Sequence, residues 1–214
     1  MTSLHDRLTS LYRAGHRRTV TGLRDDGEWL PAGERPRRAA VLVAITDRPL
    51  PSDDPASAGP GILFIQRPTR MRRHAGQVAF PGGGIDPGET PIQAAVREAE
   101  EEIALPPSRV CVIGESDRYR TGSGFDISPV LAIVPPDLPL KPNPAEVDSW
   151  FEAPLSFLLD TENIREGTGE LNGMKRKFLD MHYADGSGRD YRIWGVTAAI
   201  LYNLRRRLLR GPKL

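Results

Sequence analysis

The stretch from Gly83 to Leu105, GGIDPGETPIQAAVREAEEEIAL, constrains the fold of this chain more than any other. It opens on glycines, and Asp86-Pro87-Gly88 is a second turn signal, so the backbone must turn tightly here. Thr90 then stands at the N-cap position of a helix, with Gln93 three residues later in a capping-box arrangement. The stretch therefore predicts a loop followed by a helix that begins at Pro91.

The predicted helix has two faces of different chemistry. At about 100° per residue, the apolar residues fall together: Ile92, Ala95, Val96, Ala99 and Ile103. Glu98, Glu101 and Glu102 share another arc, whereas Glu100 lies near the edge of the apolar stripe. We expect the apolar face to pack on the core and the three carboxylates to lie on one face.

A solvated acidic surface is one interpretation of these glutamates. Like charges three and four residues apart cost a few tenths of a kcal/mol per pair, and carboxylates near the end of a helix oppose its dipole. A hard divalent cation offsets both penalties, since Mg²⁺ binds in proteins through carboxylates and substrate phosphates. The pattern therefore favours a metal site.

The spacing of this stretch resembles the Nudix box of Nudix hydrolases, which cleave nucleoside diphosphates linked to another moiety. Gly83 is followed after five residues by Glu89, and after seven more by REAEEEIAL, which starts at Arg97. Ala104 departs from the pattern, because the family usually has glycine there. Since that glycine serves the helix exit, we expect a small change in loop geometry and no loss of chemistry.

The resemblance implies an α/β/α sandwich with a mixed β-sheet and metal-assisted hydrolysis with Mg²⁺ or Mn²⁺. It implies these metal ligands: Glu98, Glu101, Glu102 and the Gly83 carbonyl. Arg97 and Glu89 are similar to the structural ion pair of the family, which helps to orient the ligand glutamates. In Nudix proteins a glutamate near the position of Glu146 sometimes acts as the catalytic base. A box glutamate is another candidate, and a solvated surface role for Glu146 stays open.

The basic segment from Arg67 to Phe80, RPTRMRRHAGQVAF, leads directly into the glycine turn. Arginine suits phosphate because its planar donors grip two oxygens at once, although a solvated basic loop is the alternative. The segment resembles the motif that precedes the Nudix box in coenzyme A diphosphatases, and the matching residues are Leu63, Arg67, Arg72, Gly76 and Phe80-Pro81-Gly82-Gly83. Phe64, Ile65 and Pro68 depart from that motif.

This second resemblance implies that coenzyme A or a derivative is split into 3′,5′-ADP and a 4′-phosphopantetheine product. Coenzyme A carries a 3′-phosphate besides its diphosphate, so its recognition needs additional cationic donors. Arg67 and Arg72 are the first candidates. His74 is either a further donor or a structural hydrogen-bonding group, and Phe80 either stacks on the base or packs in the core.

Composition narrows the function classes. The formal net charge of the 214 residues is +1, so no global field favours nucleic acid as a partner. Cys111 is alone, which excludes an intrachain disulfide and is consistent with a reducing compartment. We also expect Cys111 to be a small buried residue of a strand. The sequence has no apolar run long enough to indicate a membrane partner. We therefore expect a cytoplasmic protein.

The remaining pattern indicates one domain over residues 1–214, with 1–38 as an N-terminal extension. A helix predicted at Ser3–Tyr12 is either a packing element or part of a homodimer contact. Tyr119–Phe125, YRTGSGF, predicts a flexible loop able to close over a substrate. Two other functions stay open: a Nudix enzyme for ADP-ribose, dinucleotides or nucleoside triphosphates, and a nucleotide-sensing module that does not cleave its ligand.

Overall fold

The structure is a computed structural model that describes residues 3–30, 33, 35–47, 59–70, 75–136, 138–171 and 174–209. Within these residues the α-helices are α1 (Leu4–His16), α2 (Pro91–Ile103), α3 (Leu155–Leu159) and α4 (Gly195–Leu208). Short 3₁₀ turns lie at Gly27–Trp29, Pro107–Arg109 and Thr161–Asn163. None of the helices in the described ranges is long and apolar enough to cross a membrane.

The strands form two sheets. Their bounds are β1 (Arg37–Thr46), β2 (Gly61–Gln66), β3 (Val78–Ala79), β4 (Gly82–Gly84), β5 (Cys111–Glu115), β6 (Tyr119–Arg120), β7 (Phe125–Val134), β8 (Ser149–Pro154), β9 (Arg165–Leu171), β10 (Met174–Ala184) and β11 (Asp190–Trp194). The larger sheet runs β3-β2-β1-β7-β5, with β4 on β1, β6 on β7 and β8 on β2. Strands β9, β10 and β11 form a separate antiparallel sheet.

The larger sheet is mixed. Strand β1 pairs parallel with β7 along its whole length, from Arg37 opposite Phe125 to Thr46 opposite Val134. The other pairings in this sheet, including those of β1 with β2 and β4, are antiparallel. Because β4 and β2 share one edge of β1, the glycine strand lies beside the amino-terminal half of β1.

Helices cover both faces of this sheet. Alternate residues of β1 point to opposite faces: Leu42 packs in a core with α2, whereas Val43 and Ile45 pack in a second core with the other helices. Leu8 of α1 belongs to this second core. The arrangement confirms the predicted α/β/α sandwich with a mixed sheet.

Helix α2 begins as the sequence predicts. Thr90 accepts a hydrogen bond from the Gln93 amide, the Gln93 side chain bonds back to the Thr90 amide, and Pro91 occupies the first turn. The predicted apolar face is buried as well, since Ala95, Ala99 and Ile103 are fully covered. Capping and burial therefore fix both the start and the rotation of this helix.

Strands β8 and β9 are among the strands that the sequence pattern does not predict. Strand β8 pairs with β2 although it ends on Pro154, and β9 pairs with β10 although it carries two glycines. The reason in β9 is tertiary: a side-chain carbon on Gly167 would lie 2.5 Å from the ring of Phe178. The glycines thus make room for an aromatic side chain of the neighbouring strand, which a pattern of local propensities does not show.

Two local expectations were wrong. Cys111 is exposed, because it lies on β5 at the edge of the sheet.

The segment predicted as a flexible loop over 119–125 begins with β6, where Tyr119 is buried. Thr121 then closes the turn: its amide donates to the Phe125 carbonyl at 2.8 Å, and its hydroxyl accepts from the Phe125 amide at 2.9 Å. Hydrogen bonds and burial therefore hold a segment whose glycine and serine content suggested freedom.

Ala104, directly after the last residue of α2, has a backbone conformation that favours glycine. It is the non-glycine residue with a positive φ among those described, at φ 55° and ψ 34°, and it ends α2. A side chain in this left-handed conformation costs about 1 kcal/mol relative to glycine. We expect Ala104→Gly to raise the free energy of unfolding by about that amount, measured by urea denaturation.

The matched control is Ala145→Gly, at an exposed position without a positive φ. Glycine there only increases the freedom of the unfolded chain, so this variant is expected to be slightly less stable than the wild type. Equal destabilisation by both substitutions would contradict the assignment of strain to Ala104.

Candidate active site

The site is built where helix α2 meets the glycine strand β4. Glu102 is 2% exposed, and its Oε2 accepts a hydrogen bond from the Gly82 amide at 2.9 Å. Glu98 lies against the next residue of the strand, because a side-chain carbon on Gly83 would come within 2.4 Å of the Glu98 Cδ. Glycine at this position is therefore a steric requirement of the carboxylate beside it.

Arg97 organises the exposed side of the site. Its guanidinium grips Glu89 with two hydrogen bonds, Nε to Oε1 at 2.9 Å and Nη2 to Oε2 at 3.0 Å. Nη2 also donates to the Gly84 carbonyl at 3.0 Å. This confirms the predicted ion pair and shows how it acts: one arginine joins the loop, the glycine strand and the helix. Arg97 also holds the pKa of the Glu89 carboxyl below its usual value.

The same guanidinium contacts two of the predicted metal ligands. Nη1 of Arg97 donates to Glu98 Oε1 at 3.0 Å and to Glu101 Oε2 at 3.2 Å. Glu101 is the most open of the three, with 54% of its side chain exposed against 16% for Glu98. The three carboxylates thus share one face as predicted, but they differ sharply in burial.

Burial raises the pKa of two of these carboxyl groups. Desolvation lifts the pKa of Glu102 to about 8, helped by the negative charges of Glu98 and Glu146 and opposed by the Gly82 amide and by Arg67. The pKa of Glu98 is raised as well, mainly by its own burial. A carboxylate in this position is stabilised as the charged form only when more positive charge lies nearby.

The chemistry of these donors fits a hard divalent cation. Carboxylate and carbonyl oxygens are the ligands that Mg²⁺ and Mn²⁺ prefer, and a cation offsets the desolvation that raises the pKa of Glu102. Over the described ranges, no three acidic, histidine or cysteine side chains already form a metal-binding cluster. Arg97 bonds to Glu98 and Glu101 in this state. The ligand set of Glu98, Glu101, Glu102 and the Gly83 carbonyl therefore stays a prediction.

Arg67 is a basic residue of the segment before the glycine turn, and it acts on this acidic cluster from a different side of the sequence than Arg97. Its positive charge acts on Glu102, and its Nε is buried without a hydrogen-bond partner. Arg70, from the same segment, donates to the Pro144 carbonyl instead. Arg72 and His74, also predicted to bind substrate, lie outside the described residues. The structure thus separates the roles of two arginines that look equivalent in the sequence.

Phe80 packs in the core. It is 3% exposed, and its ring stacks on Phe64 with the centroids 5.2 Å apart. The sequence left base stacking and core packing open, and the burial favours packing. Phe80 fixes the chain immediately before the glycine strand.

Glu146 reaches the site from a distant part of the chain. Its negative charge acts on both Glu98 and Glu102, although its own side chain is exposed. The preceding residues are tied to the end of α2: the Lys141 amide donates to the Ile103 carbonyl at 2.9 Å and the Asn143 amide to the Glu102 carbonyl at 2.8 Å. The family resemblance named Glu146, but the sequence gave no reason for its position, because the hydrogen bonds that hold its segment are long-range.

The comparisons with known proteins agree with this geometry. Residues 36–171 match the family model described as the NUDIX domain. The chain is 40% identical over 176 residues to the uncharacterized Nudix hydrolase NudL of Escherichia coli O6:H1 (strain CFT073), covering 78% of this chain and 81% of that protein. NudL of Shigella boydii serotype 4 (strain Sb227) is 39% identical over the same lengths.

A glycine strand beside a capped helix that carries glutamates is the arrangement of a Nudix-type domain. The chain belongs to the Nudix family and is a Nudix hydrolase. Such enzymes generally use divalent metals such as Mg²⁺ or Mn²⁺ and act on small nucleotide-containing substrates. Among solved structures, that of RenU, a Nudix hydrolase from M. smegmatis, aligns with a TM-score of 0.45 and 26% identity over 56% of this chain and 71% of that one.

The raised pKa of Glu102 predicts how the metal-free protein responds to pH. Its carboxyl group keeps its proton up to about pH 8 in the folded state, but only up to about 4.5 when unfolded. The folded state therefore binds more protons in this window, and its stability falls as the pH rises through it. We expect Glu102→Gln, which keeps the acceptor for the Gly82 amide, to remove this loss.

The measurement is the melting temperature in the presence of a chelator, at about pH 5 and about pH 8. Glu102→Gln is expected to melt above the wild type at the higher pH and close to it at the lower. Glu100→Gln is the control, since Glu100 is exposed on the same helix; it is expected to follow the wild type. An equal change in melting temperature between the two pH values for all three proteins would show that the pKa of Glu102 is not raised in the folded state.

Proposed function

We propose that this Nudix hydrolase cleaves the diphosphate of coenzyme A or a coenzyme A derivative. The products are 3′,5′-ADP and a 4′-phosphopantetheine compound. Glu98, Glu101 and Glu102, with the Gly83 carbonyl, hold Mg²⁺ or Mn²⁺ in this proposal. The reaction class follows from the family, and the choice of substrate is the step that the proposal adds.

The position of Arg67 is the observation that carries the proposal. Its positive charge acts on the buried Glu102. A substrate diphosphate beside the metal ligands would meet this charge, and a guanidinium can donate two hydrogen bonds to phosphate oxygens. The basic segment that continues to His74 supports a substrate with a third phosphate, as coenzyme A has.

The groups of the protein have separate tasks in this reaction. A bound divalent cation supplies Lewis-acid polarisation of a phosphoryl oxygen and neutralises diphosphate charge. Arg97 keeps the ligand helix and the glycine strand in register through Glu89 and the Gly84 carbonyl. Arg67 orients the diphosphate. Arg97 lies on α2, and Arg67 follows β2 directly, where its backbone hydrogen-bonds to Gln77 and Gly76.

One carboxylate must accept the proton of the attacking water. Glu146 is a candidate because its charge lies close to Glu98 and Glu102 while its side chain stays open to solvent. A box glutamate is the other candidate.

A Glu146→Gln variant distinguishes the two candidates. A fall in turnover of about a hundredfold or more would assign the base to Glu146. Wild-type turnover would assign it to a box glutamate.

Two rival functions make different demands. A Nudix enzyme for ADP-ribose, dinucleotides or nucleoside triphosphates keeps the chemistry of α2 but has no need for additional cationic donors. A nucleotide-sensing module binds without cleaving, and the complete set of glutamates speaks against it. Turnover of coenzyme A, ADP-ribose, NADH and dATP, each with Mg²⁺ and with Mn²⁺, distinguishes the three. A preference for ADP-ribose would reject coenzyme A, and no cleavage of any would favour the sensor.

Glu102→Gln tests the metal site. Loss of this charge removes a ligand without removing the acceptor for the Gly82 amide. We expect turnover to fall by orders of magnitude, roughly 10²-fold or more, while circular dichroism shows an intact fold. Glu100→Gln is the matched control on the same helix and is expected to retain activity. Wild-type turnover in the Glu102 variant would refute the ligand assignment.

Arg67→Gln tests the diphosphate contact. Loss of one charge-assisted hydrogen bond is expected to raise the KM for coenzyme A about tenfold or more. Because Arg67 lies beside the metal ligands, the KM for 3′-dephospho-coenzyme A is expected to rise by the same factor. Arg7→Gln, on the exposed side of α1, is the control. An increase confined to coenzyme A would instead place Arg67 on the 3′-phosphate.

A further inference from the structure

Asn143 fastens the turn that carries Glu146 to the end of helix α2. The Asn143 amide donates to the Glu102 carbonyl at 2.8 Å, and the Asn143 carbonyl accepts from the amides of Glu146 at 3.0 Å and Val147 at 2.8 Å. The side chain closes the turn, since its Oδ1 accepts from the Ala145 amide at 3.1 Å. Four hydrogen bonds of normal length thus meet at Asn143.

These bonds link a helix end to a distant segment. The last carbonyls of an α-helix have no partner within the helix, and α2 obtains partners for two of them from residues 141–143. Val147, at the end of the turn, is buried in the core that α2 shares. Arg70 of the basic segment donates to the Pro144 carbonyl on the other side. The turn 143–147 is therefore tied to the helix, to the core and to the basic segment.

The hydrogen bonds of Asn143 place the backbone of Glu146 beside the end of α2. The Asn143 amide donates to the Glu102 carbonyl, and the Asn143 carbonyl accepts from the Glu146 amide. Glu146 itself is exposed on this turn. The hydrogen bonds of Asn143 therefore have a consequence beyond the stability of the helix end, because they set where the Glu146 carboxylate lies relative to the glutamates of α2.

We propose that Asn143 is a positioning residue for the reaction, acting through the Glu146 carboxylate. It holds the turn so that Glu146 faces the site from outside the helix, while Arg70 fastens the same turn and does not bind the substrate. The proposal rests on the proposed hydrolytic function and on Glu146 taking part in it. It does not depend on coenzyme A as the substrate.

The test compares Asn143→Ala with Asn143→Ser. Alanine removes the acceptor for the Ala145 amide, whereas a serine hydroxyl supplies one at the same place in the turn. We expect alanine to lower kcat about tenfold with less than about a twofold change in KM, and serine to restore kcat to within about threefold. The rates are measured with the nucleotide that the wild-type enzyme cleaves fastest. The test therefore remains valid if coenzyme A is not the substrate.

A double variant shows whether the effect passes through Glu146. If it does, Asn143→Ala combined with Glu146→Gln is no slower than Glu146→Gln alone. Asn163→Ala is the matched control, because it removes a side-chain hydrogen bond of 3.0 Å, to the Phe157 carbonyl, in a different turn; it is expected to leave kcat unchanged. Effects that multiply, or a serine variant as slow as alanine, would overturn the proposal.

Hydrogen exchange gives a readout that needs neither metal nor substrate. In Asn143→Ala, the amides of Glu146 and Val147 are expected to exchange about tenfold faster or more, and Asn143→Ser is expected to slow them again. Arg70→Gln is expected to have the smaller effect of the same kind and to leave KM unchanged. Unaltered exchange in the alanine variant would show that Asn143 does not hold the turn. A raised KM in Arg70→Gln would show that Arg70 binds the substrate.

Discussion

The close approach of a buried carboxylate to a glycine strand determines the rest of this structure. Glu102 reaches the Gly82 amide only because α2 lies directly against β4. Small residues permit that approach on both sides: Ala95 and Ala99 are fully buried under the helix, and the strand carries no side chains. A side chain on Gly83 would collide with Glu98 of the helix, so a larger residue at this position would force the helix and the strand apart.

Two arginines manage the negative charge of this arrangement in different ways. Arg97 hydrogen-bonds to Glu89, to the Gly84 carbonyl and to the Glu98 and Glu101 carboxylates, so its charge joins the loop, the strand and the helix. The charge of Arg67 acts on Glu102 instead. The first arginine therefore holds the scaffold together, and the second offsets part of the charge of the buried carboxylate.

The sequence predicted those features that depend on local chemistry. The capping box at Thr90 and the apolar face of α2 follow from spacing along one segment, and the ion pair of Arg97 with Glu89 is implied by the family resemblance; the structure has each of them. Strand β9 was missed because its glycines serve the ring of Phe178 on another strand. The surroundings of Glu146 were missed for the same reason, since they depend on hydrogen bonds to a helix far away in the sequence. Local pattern and the family resemblance identify the candidate groups, and tertiary contacts decide how they are held.

The dependence of α2 on residues 141–143 also has a consequence for the order of folding. The helix and its glutamates leave the ribosome well before the segment that caps the Glu102 and Ile103 carbonyls. Until that segment is synthesised, the nascent chain contains residues 83–105 but lacks the partners of these two carbonyls. Glu146 is also not yet present. Completion of the site is therefore a late, long-range event, coupled to the docking of a stretch that contains none of the recognisable motif.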